Sequence, residues 1–240
     1  MTTAIVATVA SLLGGLIQTL TGFGSGIVIM LIIPFVLSIS QSSALSTLVC
    51  VVLNLSLVYH YRRFINFRII ILPTIISLLF SFVAIYYGTL VPFAILKIIF
   101  SCFLILLALY FIFFSNISIS ANVSTALICS SLAGLANGLF GIGGPPMALY
   151  YLSITESKQQ YLGTVQFYFL ITSLGSTIVR LFSGILTKEI ALLSIPSIIA
   201  ILIGKQIGVK LVQYISQEKM KRLIYGFLLF AGIVELIQCF

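Results

Sequence analysis

Charge is what this sequence has least of. Only 7% of its 240 residues are Asp, Glu, Lys or Arg, against roughly 25% in soluble domains, which must present a wetted surface. That shortage excludes a soluble domain. Acid is the scarcest of all, with 4 Asp and Glu in total and none between Met1 and Thr155. Glu156, Glu189, Glu218 and Glu235 are the whole set, and the single histidine, His60, stands beside Arg62 at a helix end. No spaced metal-ligand set and no nucleophile with a nearby base emerges from so few groups, so neither an enzyme, a metal site nor a cofactor is expected. The four cysteines (Cys50, Cys102, Cys129, Cys239) lie in or at the ends of apolar runs without paired spacing, and read as small packed hydrophobes. Tryptophan is absent, which leaves interfacial anchoring to tyrosines such as Tyr59, Tyr61, Tyr86, Tyr87, Tyr150 and Tyr151. The start, Met1-Thr2-Thr3-Ala4, lacks the basic residues of a secretory signal and reads as part of a first membrane segment.

What the chain has instead is length of apolar run. Hydrophobic residues make up 61% and mean hydropathy is +1.28. Stretches of about 20 apolar residues cross a bilayer, so the chain has room for about six to eight. The fold expected is an all-α polytopic membrane protein, embedded in lipid. Its 12 Lys and Arg exceed its acids, but they sit mostly in loops and at helix ends. The positive-inside effect accounts for them without nucleic acid.

Two glycine-rich breaks interrupt the helical pattern. A segment from Thr3 to Leu20 runs into Thr21-Gly22-Phe23-Gly24-Ser25-Gly26, then a short run from Ile27 to Leu37. Long segments are expected from Ser42 to Tyr61, Ile69 to Tyr87 and Phe93 to Phe114. Past the polar stretch Ser115 to Ser124 the order repeats. Thr125 to Asn137 leads into Gly138-Leu139-Phe140-Gly141-Ile142-Gly143-Gly144-Pro145-Pro146 and the short run Met147 to Ile154. Segments near Tyr161 to Ser183, Ile190 to Val209 and Met220 to Ile237 follow. Gly15-Leu16 stands 119 residues before Gly134-Leu135, and that offset carries Gly22 onto Gly141 and Gly24 onto Gly143. The expected organisation is a duplicated helical bundle: a first repeat over 1–114, a linker over 115–124 and a second repeat over 125–240, each half starting with a broken segment. If each broken segment enters and leaves on one side, three crossings follow and the repeats are inverted. The loop Arg62 to Arg68 and the cluster Lys210, Lys219, Lys221 and Arg222 then share the cytoplasmic side, as the charge rule favours. One kinked crossing per break is the alternative.

Irregular backbone at membrane depth is tolerated only where protein or a polar cavity satisfies it. Paired breaks in corresponding positions of two halves point to a substrate site. A helix amino end offers amide donors to an anion without a charged side chain. Gly22, Gly24, Ser25 and Gly26 precede one short helix; Gly141, Gly143, Gly144 and Pro145 precede the other. Gln18, Thr21, Asn137 and Gln166 are the polar residues best placed to join them, since an amide in hydrocarbon needs partners. Thr47 corresponds to Gln166 by the offset, and Asn54 lies in the same segment. Close helix packing is the structural alternative for the glycines, as helix-to-helix bonding is for the amides. Arg180, 19 residues after Tyr161, either snorkels to the headgroups or stands beside an extracellular anion vestibule.

At these breaks the chain resembles the TauE/SafE family, the sulfite exporter-like membrane permeases. Gly22-Phe23-Gly24-Ser25-Gly26 with Pro34 downstream is similar to the family's first glycine signature. Gly138 to Gly144 followed by Pro145-Pro146 is similar to its second. Ser25 stands where the family often has another glycine. The resemblance implies a secondary carrier in the cytoplasmic membrane for small anions, sulfur-containing ones such as sulfite or organosulfonates above all. An anion channel is the alternative. A coupling ion and a homo-oligomer are both left open by the residues.

Overall fold

The computed structural model describes residues 2–114 and 122–211, together with Ile233. The segment expected from Met220 to Ile237, most of the 115–124 linker and the cluster Lys219, Lys221 and Arg222 lie outside the described residues. Within them the protein is all α-helix, with two short 3₁₀ turns and no strand. The helices are α1 (Thr2–Thr21), α2 (Ser25–Ile32), α3 (Ile39–Tyr61), α4 (Phe67–Gly88), α5 (Phe93–Phe114), α6 (Val123–Phe140), α7 (Gly144–Ile154), α8 (Lys158–Phe182) and α9 (Lys188–Leu211). Six of them are long and apolar enough to cross a membrane: α1, α3, α4, α6, α8 and α9.

Local sequence explains where the helices begin. Ser38 caps α3 and forms a reciprocal capping box with Gln41; Asn66, Asn122 and Ser157 cap α4, α6 and α8 through their side-chain oxygens. Such caps satisfy amides that have no partner inside a helix. α2 and α7 lack them. Each starts from a glycine, Gly24 or Gly143, with no side-chain cap bond, so their first amides are left to whatever lies in front.

At each break the chain turns back on itself. A Cβ on Gly14 would lie 3.1 Å from the Ser25 carbonyl oxygen, and one on Gly143 would lie 3.0 Å from that of Ala133. Contacts across ten or eleven residues require reversal, since a straight helix would separate them by about 15 Å. α2 therefore folds along α1, and α7 along α6.

Packing follows a matched scheme. α1 packs on α9 and α6 on α4, while α3 and α8 pack on each other. The tightest crossings involve the glycines that the offset relates: a Cβ on Gly15 would meet the Ile201 carbonyl oxygen at 2.2 Å, and one on Gly134 the Ser77 carbonyl oxygen at 2.5 Å. Glycine at such points lets backbones touch, the usual basis of helix association in lipid. α3 and α8 run antiparallel. Gly163 near the start of α8 abuts Tyr61 at the end of α3, Asn54 bonds Ser173 midway, and Ser43 near the start of α3 shares a cavity with Arg180 near the end of α8.

Candidate substrate site

The two uncapped helix starts open on one small cavity, about 40 Å³ in volume, which at roughly 10–15 Å³ per water has room for about three waters. Gly24, Ser25, Gly26 and Ile27 of the first break line it, with Gly141, Ile142, Gly143 and Gly144 of the second. Gln18 of α1, Cys50 and Asn54 of α3, Asn137 of α6, and Phe169, Thr172 and Ser173 of α8 complete the wall. Among the described residues no charged side chain lines it. The breaks also touch directly, since a Cβ on Gly26 would sit 2.7 Å from the Gly141 carbonyl oxygen. Gly24 adopts φ +108° and Gly141 φ +68°, left-handed backbone that glycine adopts without the clash a Cβ brings. The helix starts differ in donor supply. Ser25, Gly26 and Ile27 each carry an amide hydrogen in the first turn of α2, whereas Pro145 and Pro146 remove two from α7.

Behind this wall runs a chain of amides. Gln18 Nε2 donates to Asn54 Oδ1 at 2.6 Å and to Gln166 Oε1 at 2.9 Å, while its Oε1 accepts from Ser25 Oγ. Asn54 Nδ2 donates to Ser173 Oγ at 3.3 Å, and Gln166 Nε2 to the Gly22 carbonyl at 2.7 Å. The Cys50 sulfur lies 3.1 Å from Ser25 Oγ. Every amide oxygen in this set has a donor, which fixes the orientation of Gln18 and Ser25 toward the α2 start.

The second half places Asn137, the offset partner of Gln18, in a network of its own. Asn137 Nδ2 donates to Ser176 Oγ at 2.6 Å and to Ser81 Oγ at 3.2 Å. Its carbonyl, with that of Gly138, accepts from an Arg180 terminal nitrogen at 3.1 and 2.7 Å. Arg180 is 1% exposed, so it is not a headgroup anchor. Its cation sits on the carbonyl end of α6, where the helix dipole favours positive charge.

Of the sequence candidates, Gln18, Gly24, Ser25, Gly26, Asn137, Gly141, Gly143 and Gly144 meet at the cavity. Gln166 lies one bond behind, holding Gln18 and the Gly22 carbonyl. The Thr21 hydroxyl bonds only locally, to the Ile17 and Phe23 carbonyls and the Phe23 amide. Pro145 is buried in the first turn of α7, and Arg180 lines a separate cavity. Cys50, Thr172 and Ser173 were not among the candidates, and Asn54 was noted only as a polar residue of its segment. The offset that pairs Gln18 with Asn137 also pairs Asn54 with Ser173, which is the signal that marks them.

Comparison with known proteins adds one match. A family model described as sulfite exporter TauE/SafE matches residues 7–234, and no curated protein and no solved structure matches the chain. Nearly the whole sequence is covered, both breaks included, and six described helices are fit to cross a bilayer. The chain belongs to the sulfite exporter TauE/SafE family and is a multi-pass transporter of the plasma membrane, the usual location of that family, whose substrates are sulfite-type anions.

Proposed function

We propose that this protein is a secondary carrier that holds one small sulfur oxyanion, sulfite or a short organosulfonate, in the cavity between the two breaks. The observation that carries the reading is that the two described helices starting at an uncapped glycine, α2 and α7, open on the same cavity, whose described lining is uncharged. A dry site of amide donors and hydroxyls suits an anion, because each donor is worth more where water is excluded. The amides of Ser25, Gly26 and Ile27 are the donors; Gln18, whose Oε1 takes the Ser25 hydroxyl proton, holds the start of α2 in place with Asn54 and Gln166 behind it. The anion is carried unchanged: among the described residues the lining offers no carboxylate, imidazole or amine to act on it.

We further propose that residues 1–114 and 125–240 are inverted repeats. The antiparallel packing of α3 on α8 supports this. Those helices correspond by the offset, and equivalent helices of parallel repeats would run the same way.

Purified protein in liposomes loaded with sulfite, methanesulfonate, sulfate or acetate tests both substrate and mechanism. Saturable flux of the first two, accelerated by anion on the opposite side, is the expected outcome. Unsaturable flux with continuous single-channel current would establish a channel instead, and absence of flux with every anion would overturn the reading.

A further inference from the structure

The two ends of the α3–α8 interface are related by the repeat offset, yet they are chemically unlike. At one end Tyr161 and Leu162 press on the first break: a Cβ on Gly22 would lie 2.9 Å from the Tyr161 ring and 3.2 Å from Leu162. At the other end the offset puts Ser42 and Ser43 in their place. There the second break is met by small polar groups, with the Ser43 carbonyl oxygen 3.2 Å from a Cβ on Gly141. Tyr61 on the first side corresponds to Arg180 on the second.

The polar side is also the less satisfied one. Ser42 Oγ near the start of α3, and Thr177 Oγ1 and Arg180 Nε near the end of α8, are buried without hydrogen-bond partners. Native structures leave few such atoms, and each calls for a partner such as a water or an ion. A cavity of about 10 Å³ lies here, lined by Ser43, Gly138 and Arg180 among others. No carboxylate pairs with Arg180 among the described residues, whose only acids are Glu156 and Glu189. An unpaired cation at membrane depth is costly and marks an ion pathway by default.

We propose that Arg180 and Ser43 form a second, outer anion station, from which the substrate passes along α3 and α8 to the cavity between the breaks. It rests on the carrier reading for its purpose, but not for its test. Ser43, Thr47, Cys50 and Asn54 recur at helical spacing along α3; Gln166, Ser173 and Arg180 recur every seven residues along α8. The two stripes therefore form one file. Gly88 and Thr89 line the same outer cavity, which sets the station at the end away from Arg62, Arg63 and Arg68, and so on the non-cytoplasmic side by the charge rule.

Ser43→Cys in a background with the four native cysteines replaced by serine is the probe. Its modification by an anionic and a cationic methanethiosulfonate of similar size is timed against Thr187→Cys, an exposed position in the α8–α9 loop that does not line that cavity. The anionic reagent is expected to react about tenfold faster relative to that control. Methanesulfonate should slow it, Arg180→Gln should abolish the preference, and Arg180→Lys should retain most of it. Equal rates for the two reagents, a preference that survives Arg180→Gln, or a Ser43→Cys thiol that never reacts would each overturn the station. Should Arg180→Gln fail to fold, the wild-type charge preference and its competition by methanesulfonate decide alone. Labelling needs no turnover: absent flux with intact charge preference would sink the carrier and leave the station standing.

Discussion

Gln18 spends three of its four side-chain hydrogen-bonding directions inside the protein, two through Nε2 and one through Oε1. Gln18→Leu keeps most of the volume but strands Asn54 Oδ1 and Gln166 Oε1 and leaves Ser25 Oγ with Cys50 alone, at about 1–3 kcal/mol for each group left buried and unpaired. The expected result is a lower unfolding temperature in detergent and at least a tenfold loss of flux per folded molecule, measured in liposomes. A variant that keeps wild-type flux would remove this network from the substrate site. Gln18, Asn137 and Gln166 were legible in the sequence because an amide in hydrocarbon must find partners. Ser173 was not, since serine so often bonds its own helix, as Ser130 and Ser197 do here. Nor does sequence tell a lining amide from one a bond behind, which is why Gln166 and Asn137 looked alike.

The short helices test differently, because their starts are backbone. Gly24 sits at φ +108°, where a residue with a Cβ costs roughly 1–2 kcal/mol. Gly143 has ordinary φ, −103°, but a Cβ there would crowd the Ala133 carbonyl at 3.0 Å and Asn137 at 3.1 Å. Gly24→Val and Gly143→Val are expected to reach the membrane and lose most of their flux, read by transport normalised to folded protein. Normal transport by both would take the breaks out of the site. Gly15→Leu belongs to another class, since even its Cβ meets the Ile201 backbone at 2.2 Å. Parting α1 from α9 should cost about 1–3 kcal/mol and show first as poor yield of folded protein on size exclusion. Helix boundaries and breaks were readable because glycine, proline and capping residues punctuate them. The partnerships of α1 with α9 and α4 with α6 were not, because helices apolar on nearly every face carry little periodic signal to say which face meets which.

At the scale of the whole molecule, the proposed inversion fixes sides. Single cysteines in the Arg62 to Arg68 loop and at Lys210 are expected to label from the cytoplasm, and one at Thr89 from outside. Labelling of both basic regions from the outer face would reverse the arrangement. The described cavity lining is uncharged, and this has a consequence for the proposed carrier. With no fixed charge there to cancel it, an anion of charge −1 would move across the bilayer as a net charge, while the empty protein would return without one. Each 100 mV of inside-negative potential then weighs on the loaded step by about 2.3 kcal/mol, about a 50-fold bias in the equilibrium ratio. The voltage alone would drive such an anion outward, and no second ion would be needed for export. A potassium diffusion potential imposed on liposomes should speed methanesulfonate flux toward the positive side and slow it in reverse. Flux indifferent to that potential would mean that a compensating ion travels with the anion.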